Sequence, residues 1–312
     1  MGELRILFYG AGVLGSLYAA KLKEIGHNVT VLARGKRFAE IREHGIVLED
    51  SSTGERKTTA VNTIEQLTPQ DVYDFLVILV RGNQVSSVLP AIAANKFTPN
   101  VLFMTNNAGG TEKILRVLGQ DRVLFGFPGA GGTKEGHVIR YNIISKYVQK
   151  TTFGELGGSE TIRLRQINKE FKRAGFHTEI SSNIDAWLKT HVALVSPIAN
   201  AIYMAGGDDF KLACNREAIL LNICAIREGF SVLKALGIPV TPPKLKLLNL
   251  LPESILVSIL SRVYNTEWSN VVMTRHANAA RDEMKELADE FLMLVSKTSV
   301  PTPAIERLYK YI

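Results

Sequence analysis

Short apolar runs alternate with amphipathic stretches through the first half of the chain. LRILFYG is an apolar run closed by a glycine. In VLGSLYAAKLKEIG, directly after it, Leu14, Leu17, Tyr18, Leu22 and Ile25 fall on one helical stripe, and Gly26 is a stop signal. NVTVLAR reads as the next strand and KRFAEIREHG as a short helix. IVLED and TTAVNT flank SSTGER as the arms of a hairpin. DFLVILV is apolar throughout, as a central parallel strand buried on both faces must be. NVLFMTN and VLFGF follow, with TEKILRVLG as a helix between them. Strands alternating with crossover helices predict an α/β fold with a doubly wound parallel sheet.

From about residue 130 to 182 the strands shorten: HVIRYN, YVQKTTFGEL and FHTEIS, with ETIRLRQINKEFKRAG as a helix among them, are expected to extend or edge the sheet. After SSNID every segment carries helical spacing and no strand signal returns. This predicts an α/β domain over 1–182 and an all-α C-terminal domain over 183–312, with the ligand site expected in a cleft between them.

The chain has 312 residues, 46% of them hydrophobic, enough for two cores. The start lacks the pattern of a secretory signal. The most apolar stretch, VALVSPIANAIYMAG, is too short for a membrane span and is interrupted by Pro197. Together these predict a soluble, cytoplasmic protein with no membrane partner. Cys214 and Cys224 lie in a helical pattern at a spacing that suits neither a redox pair nor zinc; they are expected to be core thiols, with no metal. The formal net charge is +7. No basic run is interleaved with aromatics as a nucleic-acid platform requires, so the excess points to small anions.

Candidate chemistry begins at GAGVLG, residues 10–15. A G-x-G-x-x-G motif between a strand and a helix, followed by a second strand, is the dinucleotide-binding pattern of a Rossmann domain. Gly10 makes the tight turn, Gly12 lets a pyrophosphate approach, and Gly15 lets helix and strand pack. Ala11, Val13 and Leu14 complete the loop and offer N–H groups at the helix start. The second strand ends in LARGKR. An acid there would favour the ribose hydroxyl of NAD; Arg34 and Lys36, with Arg37 beside them, instead suit the 2′-phosphate of NADPH. Arg34 is the expected main contact. VRGNQ and TNNAGG fall at carboxyl ends of strands, where such sheets bind ligands, so Arg81, Gln84 and Asn106 are further candidates. Asn107 reads equally well as turn chemistry.

In AWLKTHVALVSPIANAI, Lys189, Ala193, Ser196, Pro197 and Asn200 share one helical stripe, with one charge among small and polar residues, as in the wall of a cleft. Pro197 should kink the helix. His191 points to another face and reads as structural or surface.

Taken in order, GAGVLGSLYAAKL, VLARGKR, VRGNQV, TNNAGG, the Lys189 helix and VPTPAIERLYKYI resemble the ketopantoate reductase family over nearly the whole chain. The resemblance implies NADPH-dependent reduction of a 2-oxo acid to the 2-hydroxy acid, in pantothenate biosynthesis, with Lys189 as the catalytic lysine and Asn106 touching cofactor and substrate. Glu283, after a shift of one residue, falls at the family's late acid beside that lysine. Two departures bear on substrate. The family has substrate-binding asparagines four and eight residues after the lysine; here those positions are Ala193 and Pro197. The late serine-methionine-aspartate stretch appears as VVMTRH. Ser196 and Asn200 are candidate replacements for the lost amides. Arg275 is a candidate carboxylate contact, and reads equally well as a surface arginine. The rival readings are a reductase of a different carbonyl compound and a non-catalytic NADPH sensor. LKLLNLLPESILVSIL admits both packing within its own domain and a homodimer face.

Overall fold

The computed structural model describes residues 2–109 and 111–312. The chain clusters into two compact units, Met1–Thr105 with Thr111–Ile184, and Asn106–Gly110 with Asp185–Ile312.

The first unit alternates strand and helix: β1 (Arg5–Tyr9), α1 (Val13–Glu24), β2 (Asn28–Leu32), α2 (Gly35–His44), β3 (Ile46–Asp50), β4 (Arg56–Thr59), β5 (Asn62–Ile64), β6 (Phe75–Ile78), α3 (Val85–Ala94), β7 (Asn100–Phe103), α4 (Glu112–Leu118), β8 (Val123–Phe127), β9 (Ala130–Glu135), β10 (Val138–Ile143), β11 (Thr151–Gly154), α5 (Ile162–Arg173) and β12 (Thr178–Ile180). Eight strands form one sheet in the order β12-β11-β8-β7-β6-β1-β2-β5. All its pairings are parallel except β11 with β8. β6 is buried along its whole length, as its unbroken apolar run requires. The chain leaves β1 toward β2 on one side and returns to β6 on the other, so the order in which strands are added reverses between β1 and β6. Ligands of open α/β sheets bind at such a point, outside the carboxyl ends of the strands.

The other strands depart from the expected single sheet. HVIRYN does not join the main sheet: β10 pairs in parallel with β3 and antiparallel with β9, giving a second sheet ordered β4-β3-β10-β9. The hairpin across SSTGER is present as β3 with β4. This small sheet shares a core with α1: Ile46, Leu48, Ile139 and Tyr141 are buried in one cluster with Leu17 and Tyr18. Its strands are local in sequence, but β3 finds β10 across some ninety residues, which no local pattern encodes. β9, reading AGGTKE, has too few apolar residues to announce a strand, and α3 was hidden by its Ser and Pro content.

The second unit is helical: α6 (Ile184–Met204), α7 (Asp209–Cys214), α8 (Arg216–Ala235), α9 (Leu247–Leu250), α10 (Glu253–Tyr264), α11 (Glu267–Ser269), a π turn over Asn270–Thr274, α12 (Arg275–Ala279), α13 (Arg281–Val295) and α14 (Pro303–Tyr309). No strand occurs in it among the described residues. Asn215 caps α8 by accepting from the Ala218 N–H at 3.0 Å, the usual N-cap device. α6 continues through Pro197. Where α6, α8 and α13 meet, a Cβ on Gly229 would stand 3.2 Å from that of Ala193 and 3.4 Å from the Phe291 ring. The glycine is what lets these helices approach.

Only one cysteine departs from the expected core thiols: Cys214 is exposed at the end of a short helix, while Cys224 is half-buried and packs against the helical core. In the LKLLNLLPESILVSIL stretch, Leu256 is buried while Leu247, Leu250, Ile255 and Ile259 are exposed. No helix among the described residues is long and apolar enough to cross a membrane.

Candidate active site

The glycine loop has the geometry its three glycines suggested. Gly10 sits at φ 119°, and a Cβ there would lie 2.5 Å from the Leu79 carbonyl oxygen, at the end of β6. Only glycine is unstrained at that φ and that close to backbone. A Cβ on Gly15 would overlap the Gly10 carbonyl oxygen at 1.8 Å. Around a Cβ on Gly12 nothing stands within 4 Å. The first helical bond of α1 runs from the Ser16 N–H to the Gly12 carbonyl, so the N–H groups of Val13, Leu14 and Gly15 precede it. Gly12 is the N-cap, no side chain caps the helix, and its first turn holds no acid. An open, uncapped, non-acidic helix start against a sheet switch point fits a pyrophosphate.

Three basic residues follow β2, and they do different things. Arg34 is exposed and donates from NH2 to the Tyr9 hydroxyl at 3.1 Å, which orients it at the end of β1. Lys36 is 91% exposed, 4.0 Å from Glu40. Arg37 is turned inward: Nε donates to the Ala11 carbonyl at 3.1 Å, NH2 to the Ser16 hydroxyl at 3.0 Å, and NH1 to Glu40 at 3.2 Å. It ties the glycine loop to α1 and α2, a role the sequence did not reveal. Glu40, on α2 one turn beyond LARGKR, is ion-paired with Arg37 and Lys134. Lys134 donates to it, and together with Arg37 holds its carboxyl below the usual range. Arg81 and Gln84 face one another locally, the Arg81 N–H donating to the Gln84 side-chain oxygen at 3.3 Å.

In the helical unit, Lys189 lies on α6 and is 15% exposed. Its ammonium donates to Asp185, one turn earlier, at 2.5 Å. The spacing i, i+4 was visible in the sequence, and Asp185 was missed as its partner. The rest of the stripe faces helical core rather than a cleft wall. Ala193 is fully buried against Gly229, and Ser196, Pro197 and Asn200 line a cavity of about 10 Å³ with Ala225, Ala288, Phe291, Ile305, Leu308 and Tyr309. That is room for about one water. The Asn200 Oδ1 is buried there without a hydrogen-bond partner in the protein.

Asn106 and Glu283, 177 residues apart, meet side chain to side chain: the amide donates to the carboxylate at 3.3 Å. The Asn106 Oδ1 is buried and accepts no bond. Gly110, the last residue of TNNAGG, lies outside the described residues. Arg275 donates to Asn270 at 2.9 Å and to Glu267 at 3.3 Å. His191 stacks on Trp187, ring centroids 5.2 Å apart. Its ring keeps some surface, yet desolvation by the protein around it, with His276 adding repulsion, pushes its pKa down to about 3. No cluster of His, Cys, Asp or Glu among the described residues could hold a metal ion.

Comparison with known proteins gives a consistent set of likenesses. Residues 6–158 match the family described as ketopantoate reductase PanE/ApbA. The 2-dehydropantoate 2-reductase of Pyrococcus horikoshii is 24% identical over 240 residues, 75% of each chain. Among solved structures, the 2-dehydropantoate 2-reductase of Geobacter metallireducens superposes with TM-score 0.81 at 15% identity, over 99% of this chain and 98% of the other. A D-mandelate dehydrogenase, solved with NADH and anilino(oxo)acetate, superposes with TM-score 0.77 at 15% identity, over 98% and 96%. At these identities the structural likenesses speak for the fold.

Proposed function

This chain is a ketopantoate reductase-like protein, and on that premise we propose that it is an NADPH-dependent oxidoreductase that reduces a small 2-oxo acid to its 2-hydroxy acid. The observation that carries the reading is the meeting of Asn106 with Glu283. Local folding gives no reason for a loop asparagine and a late helical acid to pair, and both are residues the family resemblance assigns to the site.

The bound cofactor would supply the hydride; the protein supplies binding, orientation and charge. Gly10, Gly12 and Gly15, with the N–H groups of Ala11 to Leu14 and of Gly15, would hold the pyrophosphate. Arg34 would take the 2′-phosphate with Lys36 beside it, in a neighbourhood where Glu40 is already neutralised by Arg37 and Lys134. Lys189, fixed by Asp185, would donate to the carbonyl oxygen of the oxo acid, stabilise the alkoxide as it develops and then protonate it. Asn106, held through its amide by Glu283, keeps a buried oxygen as an acceptor for a ligand N–H or O–H.

A second reading concerns the substrate. Neither Ala193 nor Pro197 can offer an amide, and Ala193 packs directly on Gly229. This favours a 2-oxo acid other than ketopantoate. The test is NADPH oxidation followed by absorbance with ketopantoate and with other 2-oxo acids. Turnover that collapses in Lys189→Ala is the expected result. Tight NADPH binding without turnover of any 2-oxo acid would instead favour the sensor.

A further inference from the structure

We propose that Glu290 is a positioning residue for this reaction: it fastens the loop that presents Asn106. The proposal rests on the function just given and on a contact that no motif announced. The Glu290 Oε2 accepts the Ala108 N–H at 3.0 Å and the Gly109 N–H at 2.9 Å. A Cβ on Gly109 would stand 2.8 Å from the other carboxylate oxygen, so the carboxylate lies directly against this stretch of backbone. Two turns earlier on α13, Glu283 accepts from the Asn106 side chain. Residues seven apart share a helix face, so one face of α13 grips the loop twice, by its first side chain and by its later backbone. Ala108, between them, is fully buried in a cluster with Val192 and Phe291.

Physical considerations say why a carboxylate sits there. Loops are the mobile parts of a fold, while a contact to a reacting ligand must hold to a fraction of an ångström. Two N–H groups on one carboxylate make charge-assisted bonds, stronger than neutral ones. A further acid on α13 is otherwise unfavourable: Asp282, Glu283, Glu286 and Asp289 already crowd the helix, and desolvation, then Glu290 itself, then Glu283, Asp282 and Asp289, push the Glu286 carboxyl up. Glu290 therefore has a specific task, satisfying loop N–H groups that would otherwise be buried or frayed.

The test compares wild type, Glu290→Ala, Glu290→Gln, Asn106→Ala and the Glu290→Ala/Asn106→Ala double variant. Two readouts are used: steady-state kinetics with NADPH and whichever 2-oxo acid, ketopantoate included, the wild type reduces fastest, and amide hydrogen exchange at Ala108 and Gly109. Glu290→Asp, whose carboxylate is drawn back by one methylene, replaces Glu290→Ala if that variant does not fold. We expect Glu290→Ala to speed exchange at both amides and to lower kcat/KM for the oxo acid by about tenfold or more, the scale of lost hydrogen bonds to a charged group. Glu290→Gln, which keeps an acceptor oxygen of the same shape, restores most of it. In the Asn106→Ala background Glu290→Ala adds nothing, because its effect passes through Asn106. An equal loss in both backgrounds overturns the proposal, since Glu290 would then act on general stability. Unchanged exchange overturns it too, since there would be no grip. A wild type that turns over none of the 2-oxo acids, with exchange still responding to Glu290, removes the assigned reaction and Glu290's part in it, leaving a structural contact.

Discussion

Lys189 is a cation with little exposed surface whose charge is met on its own helix by Asp185. Removing it in Lys189→Ala should lower kcat by roughly two to three decades, the worth of one well-aimed donor to a developing oxyanion, while the Kd for NADPH stays within about twofold; stopped-flow and fluorescence titration read the two. Arg34 makes an independent prediction. Arg34→Ala should raise the KM for NADPH roughly 10- to 100-fold, the range of a hydrogen-bonded charge pair, and leave the KM for NADH nearly unchanged. Equal effects on both cofactors would show that Arg34 does not read the 2′-phosphate. Arg34 could be picked out in the sequence because the residue after a β2-type strand has a fixed place relative to the loop. Asp185 lay within reach of the i, i+4 rule. The inward turn of Arg37 onto Ala11 and Ser16 was not legible, because a basic turn on the surface and a brace on the loop have the same sequence.

At the scale of elements, the start of α1 is built on backbone contact. Gly15→Ala would place a methyl where the Gly10 carbonyl stands. Helix and strand must separate, so NADPH binding should be lost and thermal stability should fall, by several kcal/mol if the backbone shifts as overpacked cores do; calorimetry with and without NADPH checks both. The crossing of α6 with α8 makes a parallel case. Ala193→Asn would put back the family's amide, but into a fully buried contact with Gly229. It should cost about 1–3 kcal/mol from overpacking, with more for an unpaired amide, and should not raise ketopantoate turnover. A gain in turnover would mean that α8 yields there. Periodicity announced α1, β6 and α13 because each buries one stripe or both faces. It failed for β9 and for the pairing of β10 with β3, where the partner strand is remote and the apolar signal thin.

For the molecule as a whole, two predictions follow from charge. The net charge of +7 should draw in anionic ligands, so kcat/KM should fall as salt is raised toward 0.5 M, an effect of screening; a rate indifferent to salt would show that the excess charge plays no part in capture. His191 gives the helical unit an acid limit. Its pKa is lowered to about 3 in the fold, against about 6.5 when unfolded. The unfolded chain therefore binds the extra proton between those values. The stabilisation is complete above about pH 6.5 and is lost progressively as pH falls toward 3. Melting curves from pH 7 to 4 should fall more steeply for wild type than for His191→Phe, which keeps the stacking on Trp187 and cannot be protonated.

The sequence by itself determined the doubly wound sheet, the change to helices after SSNID, the glycine loop and the identity of the residues that could do chemistry. These rest on periodicity, backbone permissiveness and side-chain type, all of which are local. The tertiary structure alone decided which of those residues meet. It set Asn106 on Glu283, turned Arg37 into the loop, buried Ala193 on Gly229 and placed Glu290 under two loop N–H groups. Contacts of that kind join residues far apart in the chain, and their energy depends on how whole elements pack, which no single window of sequence records.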